Sequence, residues 1–162
     1  MALGTSTLRL TSNAFAPGER IPQRYAADGE DVSPPLSWMG VPDEARELAM
    51  IVDDPDAPQA EPFVHWVIYK IPTGEMGLRE GISKEQKLQN PPGALQGKNS
   101  IKKIGYDGPA PPRGHGIHHY HFKLYLLDQP LDVRGGLNAA ELRLAMSGHI
   151  IDETELVGTY ER

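Results

Sequence analysis

The sequence predicts a mainly β protein, a β-dominated sandwich with a single helix near its C-terminus. Three observations carry this expectation. Glycine and proline number 17 and 15 among 162 residues, and their clusters interrupt the chain often enough to favour short strands over long helices. Between the clusters, apolar residues recur at every second position, the period of a pleated strand. Only one segment carries the start and stop signals of a helix.

Taken in order, "LRL" (Leu8 to Leu10) is a short first strand. Arg20 to Trp38 reads as irregular chain with turns at Asp28-Gly29 and Ser33-Pro34-Pro35. In "ELAMIVDD" (Glu47 to Asp54), Leu48, Met50 and Val52 alternate with Ala49, Ile51 and Asp53. Both faces are apolar, so this strand is expected at the centre of a sheet, covered on both sides. Parity then places Asp54 on the face of Leu48, Met50 and Val52. An unpaired carboxylate there costs roughly several kcal/mol, so Asp54 needs a partner or a cavity.

"HWVIYKI" (His65 to Ile71) is a further strand stopped by Pro72, and "HYHFKLYLLD" (His119 to Asp128) is the clearest, with Tyr120, Phe122, Leu124 and Leu126 on one face. Begun one residue earlier, that strand puts His118 on the face of Tyr120. The stretch between them, Asn90 to Gly116, is long and dense in glycine and proline, the character of a functional loop. In "LNAAELRLAMSG", Asn138 is an N-cap, Glu141 its capping-box partner and Gly148 the stop. Leu142, Ala145 and Met146 form the apolar stripe of that helix. "HIIDETELVGTY" (His149 to Tyr160) is expected to be the last strand. No internal repeat or second boundary interrupts the chain, so residues 1–162 are read as one domain.

Composition narrows the function. There is no cysteine, which excludes disulfides, thiolate metal sites and a cysteine nucleophile, and fits a reducing, cytoplasmic compartment. The net charge of −6 and the lack of any basic cluster denser than "KNSIKK" (Lys98 to Lys103) argue against nucleic acid. No apolar run reaches the roughly 20 residues of a membrane span, and no signal peptide is expected from the first residues. The candidate chemical residues are Asp54, Asp56, His65, His118 and Tyr120, with "GPAPPRG" (Gly108 to Gly114) as a rim. Singly, each has an ordinary structural use: turn acids beside proline, a strand-end histidine, a packing tyrosine.

Together they form a pattern. "DPDAP" (Asp54 to Pro58), "HW" (His65, Trp66) and "GYDGPAPPRGHGIHHYHF" (Gly105 to Phe122) resemble the phosphatidylethanolamine-binding protein family, also called Raf kinase inhibitor-like proteins. "SPPLSW" (Ser33 to Trp38), "QGKNS" (Gln96 to Ser100) and "GHIIDETELVGTY" (Gly148 to Tyr160) extend the resemblance, in order, over nearly the whole chain. The compact length is similar to that of the prokaryotic branch. The resemblance implies two antiparallel sheets in a Greek-key arrangement with a C-terminal helix. It also implies a preformed pocket for phosphate or a phosphorylated head group such as phosphorylethanolamine. Asp54, Asp56, Pro58, His65, Gly108, His118 and Tyr120 would form that pocket, with Tyr106 and Pro112 near its mouth. Ala110 stands where animal members carry glycine, which puts a backbone N–H contact there in doubt. A kinase or protease partner and a homodimer are further expectations of this kind.

Imidazole N–H and phenol O–H groups suit phosphate oxygens, and charge-assisted bonds are the strong ones. Asp54 is compatible with an anion if it accepts a hydrogen bond from a histidine ring, fixing its tautomer and favouring the imidazolium; it also suits an ammonium head group. Prolines in both loops fix φ and hold the rim in place before ligand arrives. The competing class is a metal-dependent enzyme built on His65, His118 and Asp54, with His115, His119 and His121 as extra nitrogens. Against it, no HExxH or Cys/His pattern occurs. Ser33, Ser100 and Ser147 lack a nucleophile-elbow context, and there is no Walker loop or GxGxxG fingerprint. The sequence therefore predicts a non-enzymatic binding protein with no metal and no cofactor.

Overall fold

A computed structural model describes residues 6–162. Its elements in chain order are β1 (Arg9–Thr11), β2 (Leu36–Met39), β3 (Glu47–Asp54), β4 (Phe63–Ile71), β5 (Gly77–Leu78), β6 (Leu95–Gln96), β7 (His118–Leu127), α1 (Ala139–Met146) and β8 (Ile150–Tyr160), with one 3-10 turn at Gln23–Tyr25. They form two antiparallel sheets, β1-β2-β5 and β6-β4-β3-β7-β8, with the single helix near the C-terminus. The mainly β expectation holds. One segment differs from it. Arg20 to Trp38 was expected to be irregular throughout, yet its end is β2. There Leu36 and Trp38 face the core and alternate with exposed Ser37 and Met39, a period masked in the sequence by the preceding Pro34-Pro35.

β3 lies at the centre of the larger sheet, and every one of its residues is buried. Leu48, Met50 and Val52 join Trp38, Trp66, Phe122 and Leu124 in the core between the sheets. Ala49 and Ile51 face the other way, onto Leu142 and Met146 of α1. Hydrophobic burial therefore fixes the register of β3, since a one-residue slip would exchange its two faces. The helix is bounded as its sequence dictates: the Asn138 side chain accepts from the Glu141 N–H at 2.8 Å and the Glu141 carboxylate accepts from the Asn138 N–H at 3.0 Å.

In the sheet order β3 lies between β4 and β7, so the chain leaving β4 must travel far before it returns as β7. That connection contains the long Gly/Pro-rich loop. "QGKNS" pins the loop to β4. Gln96 accepts from Trp66 Nε1 at 2.7 Å, the Gly97 N–H donates to Val67 O at 2.9 Å, and Ser100 Oγ accepts from the Val64 N–H at 2.7 Å. A Cβ on Gly97 would stand 1.8 Å from Leu137 O, so only glycine allows this approach. With its base fixed, the loop delivers Asp107 to Pro112 over the ends of β3, β4 and β7.

Candidate functional site

The ends of those three strands meet at a cavity of about 250 Å³. Asp54 enters from β3, His65 from β4, and His118 and Tyr120 from β7; Ala57, Pro58, Gln59 and Phe63 form one wall, and Asp107 and Ala110 to Pro112 the other. Period two explains the convergence: Asp54 continues the inward face of β3, and His118 and Tyr120 share one face of β7.

Asp54 is 2% exposed and fully engaged. One oxygen accepts from the Asp56 N–H at 2.8 Å, which folds the DPDAP segment back as an Asx-type turn. The other lies 2.6 Å from His118 Nδ1. His118 in turn lies 2.6 Å, through Nε2, from His115 Nδ1. His65 donates from Nδ1 to the Asp107 carbonyl at 2.6 Å, while the Asp107 N–H donates back to His65 O at 2.9 Å. Burial pushes the His65 imidazole down in pKa, against the opposing pull of that carbonyl and of Asp54. His65 is thus neutral near pH 7, with its remaining nitrogen an acceptor.

Tyr120 is the unusual member. Its ring is wedged against His65, edge to face at 5.1 Å, and stacked beside His118 at 6.5 Å. Its hydroxyl is buried and has no hydrogen-bond partner. Burial and the nearby Asp54 raise its pKa far above the ordinary phenol value, so the O–H remains a donor at every physiological pH. Asp107 is also raised, by burial and then by Asp31, with Lys84 and Lys103 pulling the other way.

The rim is held on both sides. The Gly108 N–H donates to Asp31 Oδ1 at 2.6 Å, Ala27 N donates to Pro109 O at 2.9 Å, and Arg162 Nε donates to Pro111 O at 2.8 Å. A Cβ on Gly108 would stand 2.3 Å from Tyr25 O and 2.8 Å from Asp31 Oδ1.

Of the residues expected from sequence, Asp54, Pro58, His65, Pro112, His118 and Tyr120 line the cavity. Three lie elsewhere. Asp56 is exposed and accepts from both the backbone N–H and the ring of His119 at 2.8 Å; burial tends to raise its pKa, but the His119 bonds hold it below the usual value. Tyr106, expected near the mouth, is instead in the core, its hydroxyl donating to Tyr25 O at 2.7 Å and its ring edge-on to Trp66 at 5.6 Å. Gly108 anchors the rim from behind. Ala110 and Pro111 fall in the expected rim segment, whereas reasoning on sequence missed Ala57, Gln59, Phe63 and Asp107 as walls and left His115 without a part in the pocket. Its spacing of three from His118 was the available signal.

Among the described residues, no three of His, Asp and Glu converge as a metal site. His119 and His121, which could have chelated, each face a carboxylate instead, Asp56 and Glu155. A larger open groove of about 850 Å³ runs alongside, shares Gln59 with the cavity, and is flanked by Lys98, Lys102 and Arg143.

Fold and site define a two-sheet β-sandwich with a small pocket at its strand ends. The chain belongs to the phosphatidylethanolamine-binding protein family, whose model matches residues 11–161. It is 50% identical to a UPF0098 protein of Pyrococcus abyssi over 93% of this chain and 84% of that protein. Among solved structures, it resembles a phosphatidylethanolamine-binding protein homologue from Chlamydia trachomatis, with TM-score 0.87 and 39% identity over 98% of this chain and 99% of that one. It also resembles E. coli YbcL, described as a member of the mammalian family, with TM-score 0.88 and 30% identity over 96% and 98% of the two chains. No helix among the described residues is long and apolar enough to cross a membrane.

Proposed function

We propose that the cavity binds a small anion, inorganic phosphate or a phosphorylated head group such as phosphorylethanolamine, and that the protein binds without catalysing a reaction. The observation that carries this reading is the Tyr120 hydroxyl, a buried donor without a partner that belongs to the cavity wall. Buried polar groups ordinarily have partners, so a ligand oxygen is the natural acceptor. His118 supplies the second donor in its imidazolium form, with its Nδ1 held 2.6 Å from the Asp54 carboxylate. Asp107, on the cavity wall opposite Pro58 and Phe63, suits the ammonium end of a zwitterionic head group.

Calorimetric titration of phosphate and of phosphorylethanolamine into wild type, His118→Ala and Asp54→Ala, at about pH 6 and pH 8, tests the reading. Saturable binding that weakens in both variants, and at pH 8 for phosphate, is the expected result. Tighter binding of phosphorylethanolamine than of phosphate would identify the head group as the ligand class. No heat from either ligand, with the variants folded, would overturn the reading and direct attention to a kinase or protease partner at the rim.

A further inference from the structure

His118 is the pocket's source of a cationic N–H, and it has only two ring nitrogens. Nδ1 is occupied by Asp54 and Nε2 by His115, both at 2.6 Å. A ligand oxygen in the cavity can receive a hydrogen from His118 only after His115 has left Nε2. His115 itself is exposed and outside the cavity wall; its ring meets His118 edge-on, with centroids 4.8 Å apart. We propose that His115 is a proton-controlled latch on the anion pocket, holding His118 Nε2 when closed and surrendering it to the ligand. The inference rests on the anion-binding reading above.

The local backbone is suited to such a movement. Gly114 and Gly116 flank His115 with φ of +75° and +97°, and a Cβ at either would meet nothing within 4 Å. These glycines therefore serve conformation and not close approach. The backbone here is tied down: Gly114 N donates to Arg162 O at 3.0 Å, His115 N to Pro112 O at 3.1 Å, and Arg162 Nε holds Pro111 O at 2.8 Å. Release can be confined to a turn of the exposed His115 side chain while its backbone and the proline rim stay in place.

The protons decide when it opens. With both rings neutral, His118 keeps its hydrogen on Nδ1 toward Asp54, and His115 donates from Nδ1 into Nε2. One added proton leaves the contact intact, because His118 can donate from Nε2 to a His115 lone pair. A second proton leaves a hydrogen on each facing nitrogen and no lone pair between them, so the two cations repel. That second proton opens the latch and leaves His118 an imidazolium with a free N–H. Anion binding is thereby coupled to proton uptake. Other groups around the pair bias this step in both directions. Asp54 on Nδ1 and Asp56, whose carboxyl feels the His118 charge, favour the protons. Asp107 on the opposite wall acts in the same sense. Arg113 in the same loop and Arg162 on the rim oppose them, while Tyr120 and the neutral His65 add no charge.

The test uses the full chain as wild type, His115→Ala and His115→Asn, titrated with inorganic phosphate from about pH 6 to pH 8. Histidine side-chain NMR of the same proteins without ligand accompanies it. Alanine removes the latch, so phosphate affinity at high pH rises by roughly three- to tenfold, the worth of one net hydrogen bond, and the gain shrinks in acid. Asparagine places an amide near the position of Nδ1 and keeps the bond, but cannot take a proton; it binds weakly, with less improvement on acidification than wild type. Without ligand, the His115 and His118 titrations are coupled in wild type, and the His118 titration moves in His115→Ala. Wild-type phosphate affinity and pH profile in His115→Ala, or independent titration of the two rings, would overturn the latch while leaving the anion reading on its own heats. Coupled rings with no phosphate binding in any of the three proteins would overturn the anion reading and leave the proton pair standing. His115 is exposed, so matching thermal melts check that the variants are folded.

Discussion

Replacing Tyr120 with phenylalanine separates what the pocket does for stability from what it does for binding. Tyr120 is 1% exposed, and its hydroxyl has no partner in the protein. Leaving a buried hydroxyl unsatisfied costs about 1–3 kcal/mol of desolvation. Phenylalanine keeps the ring, hence the edge contact with His65 at 5.1 Å and the stacking on His118 at 6.5 Å. The substitution therefore deletes a cost and no packing. Tyr120→Phe is expected to raise the unfolding free energy by about 1 kcal/mol, equivalent to roughly 2–4 °C in Tm for a chain of this size. The same change removes a donor that finds its acceptor only in a ligand, so phosphate affinity should fall by about tenfold, the value of one charge-assisted hydrogen bond. Urea denaturation reads the first effect and calorimetry the second. A Phe variant less stable than wild type would mean that the hydroxyl has a protein partner, and undiminished phosphate binding would remove it from the site; either refutes the reasoning.

Three further outcomes follow from the geometry. Asn138→Ala breaks the capping box of α1 and should cost about 1 kcal/mol in urea unfolding, with pocket binding unchanged because Asn138 is not in the cavity wall. Gly158→Ala places a Cβ 2.6 Å from Ile21 Cγ1 and 2.7 Å from Phe15 Cε2, an overpacked contact that should lower stability by about 1–3 kcal/mol on the same assay. His65 is pushed below its ordinary pKa of 6.5 by burial, so the unfolded chain takes the proton first. Stability from neutral His65 is fully present above that value and is lost as pH falls below it. His65→Gln should flatten this part of the stability–pH profile; an unchanged acid slope would show that other groups set it.

The sequence carried the fold because burial leaves a periodic trace. Leu48, Met50 and Val52 on one face of β3, and Tyr120, Phe122, Leu124 and Leu126 on one face of β7, could be read directly, and the same parity placed Asp54 and His118 inward. What escaped was non-periodic. The Gly105–Gly116 loop has no alternation, so nothing in its pattern distinguishes Tyr106, which turns into the core against Trp66, from Asp107, which lines the cavity. Pro111 and Pro112 look alike in sequence, and both line the cavity. Asp54 and Asp56 are chemically the same residue two positions apart. The strand ends at Asp54, so its parity no longer governs Asp56, which turns outward to His119.

The same strand end carries two carboxylates with partners of different kinds. Asp53 and Asp54 are adjacent, each 2% exposed, and the pleat sends them to opposite faces of the sheet. Asp53 faces the helix side, where Lys123 Nζ and Arg143 Nη2 both lie 3.2 Å from Oδ2. Its partners are permanent cations, so the bond between sheet and helix persists across the physiological range. Asp54 faces the sandwich interior, where its partner is the His118 imidazole, 2.6 Å away through Nδ1. Removing His118, or both Lys123 and Arg143, leaves a buried carboxylate uncompensated, at a cost of roughly 3–5 kcal/mol. For Asp53 that loss needs a mutation. For Asp54 the partner is an imidazole, a side chain with both a neutral and a cationic form, and the cationic form is the one that can meet an anion. A two-residue period thus gives one strand a fixed ion pair on one face and a titratable one on the other, and the titratable pair is the one that opens on the cavity.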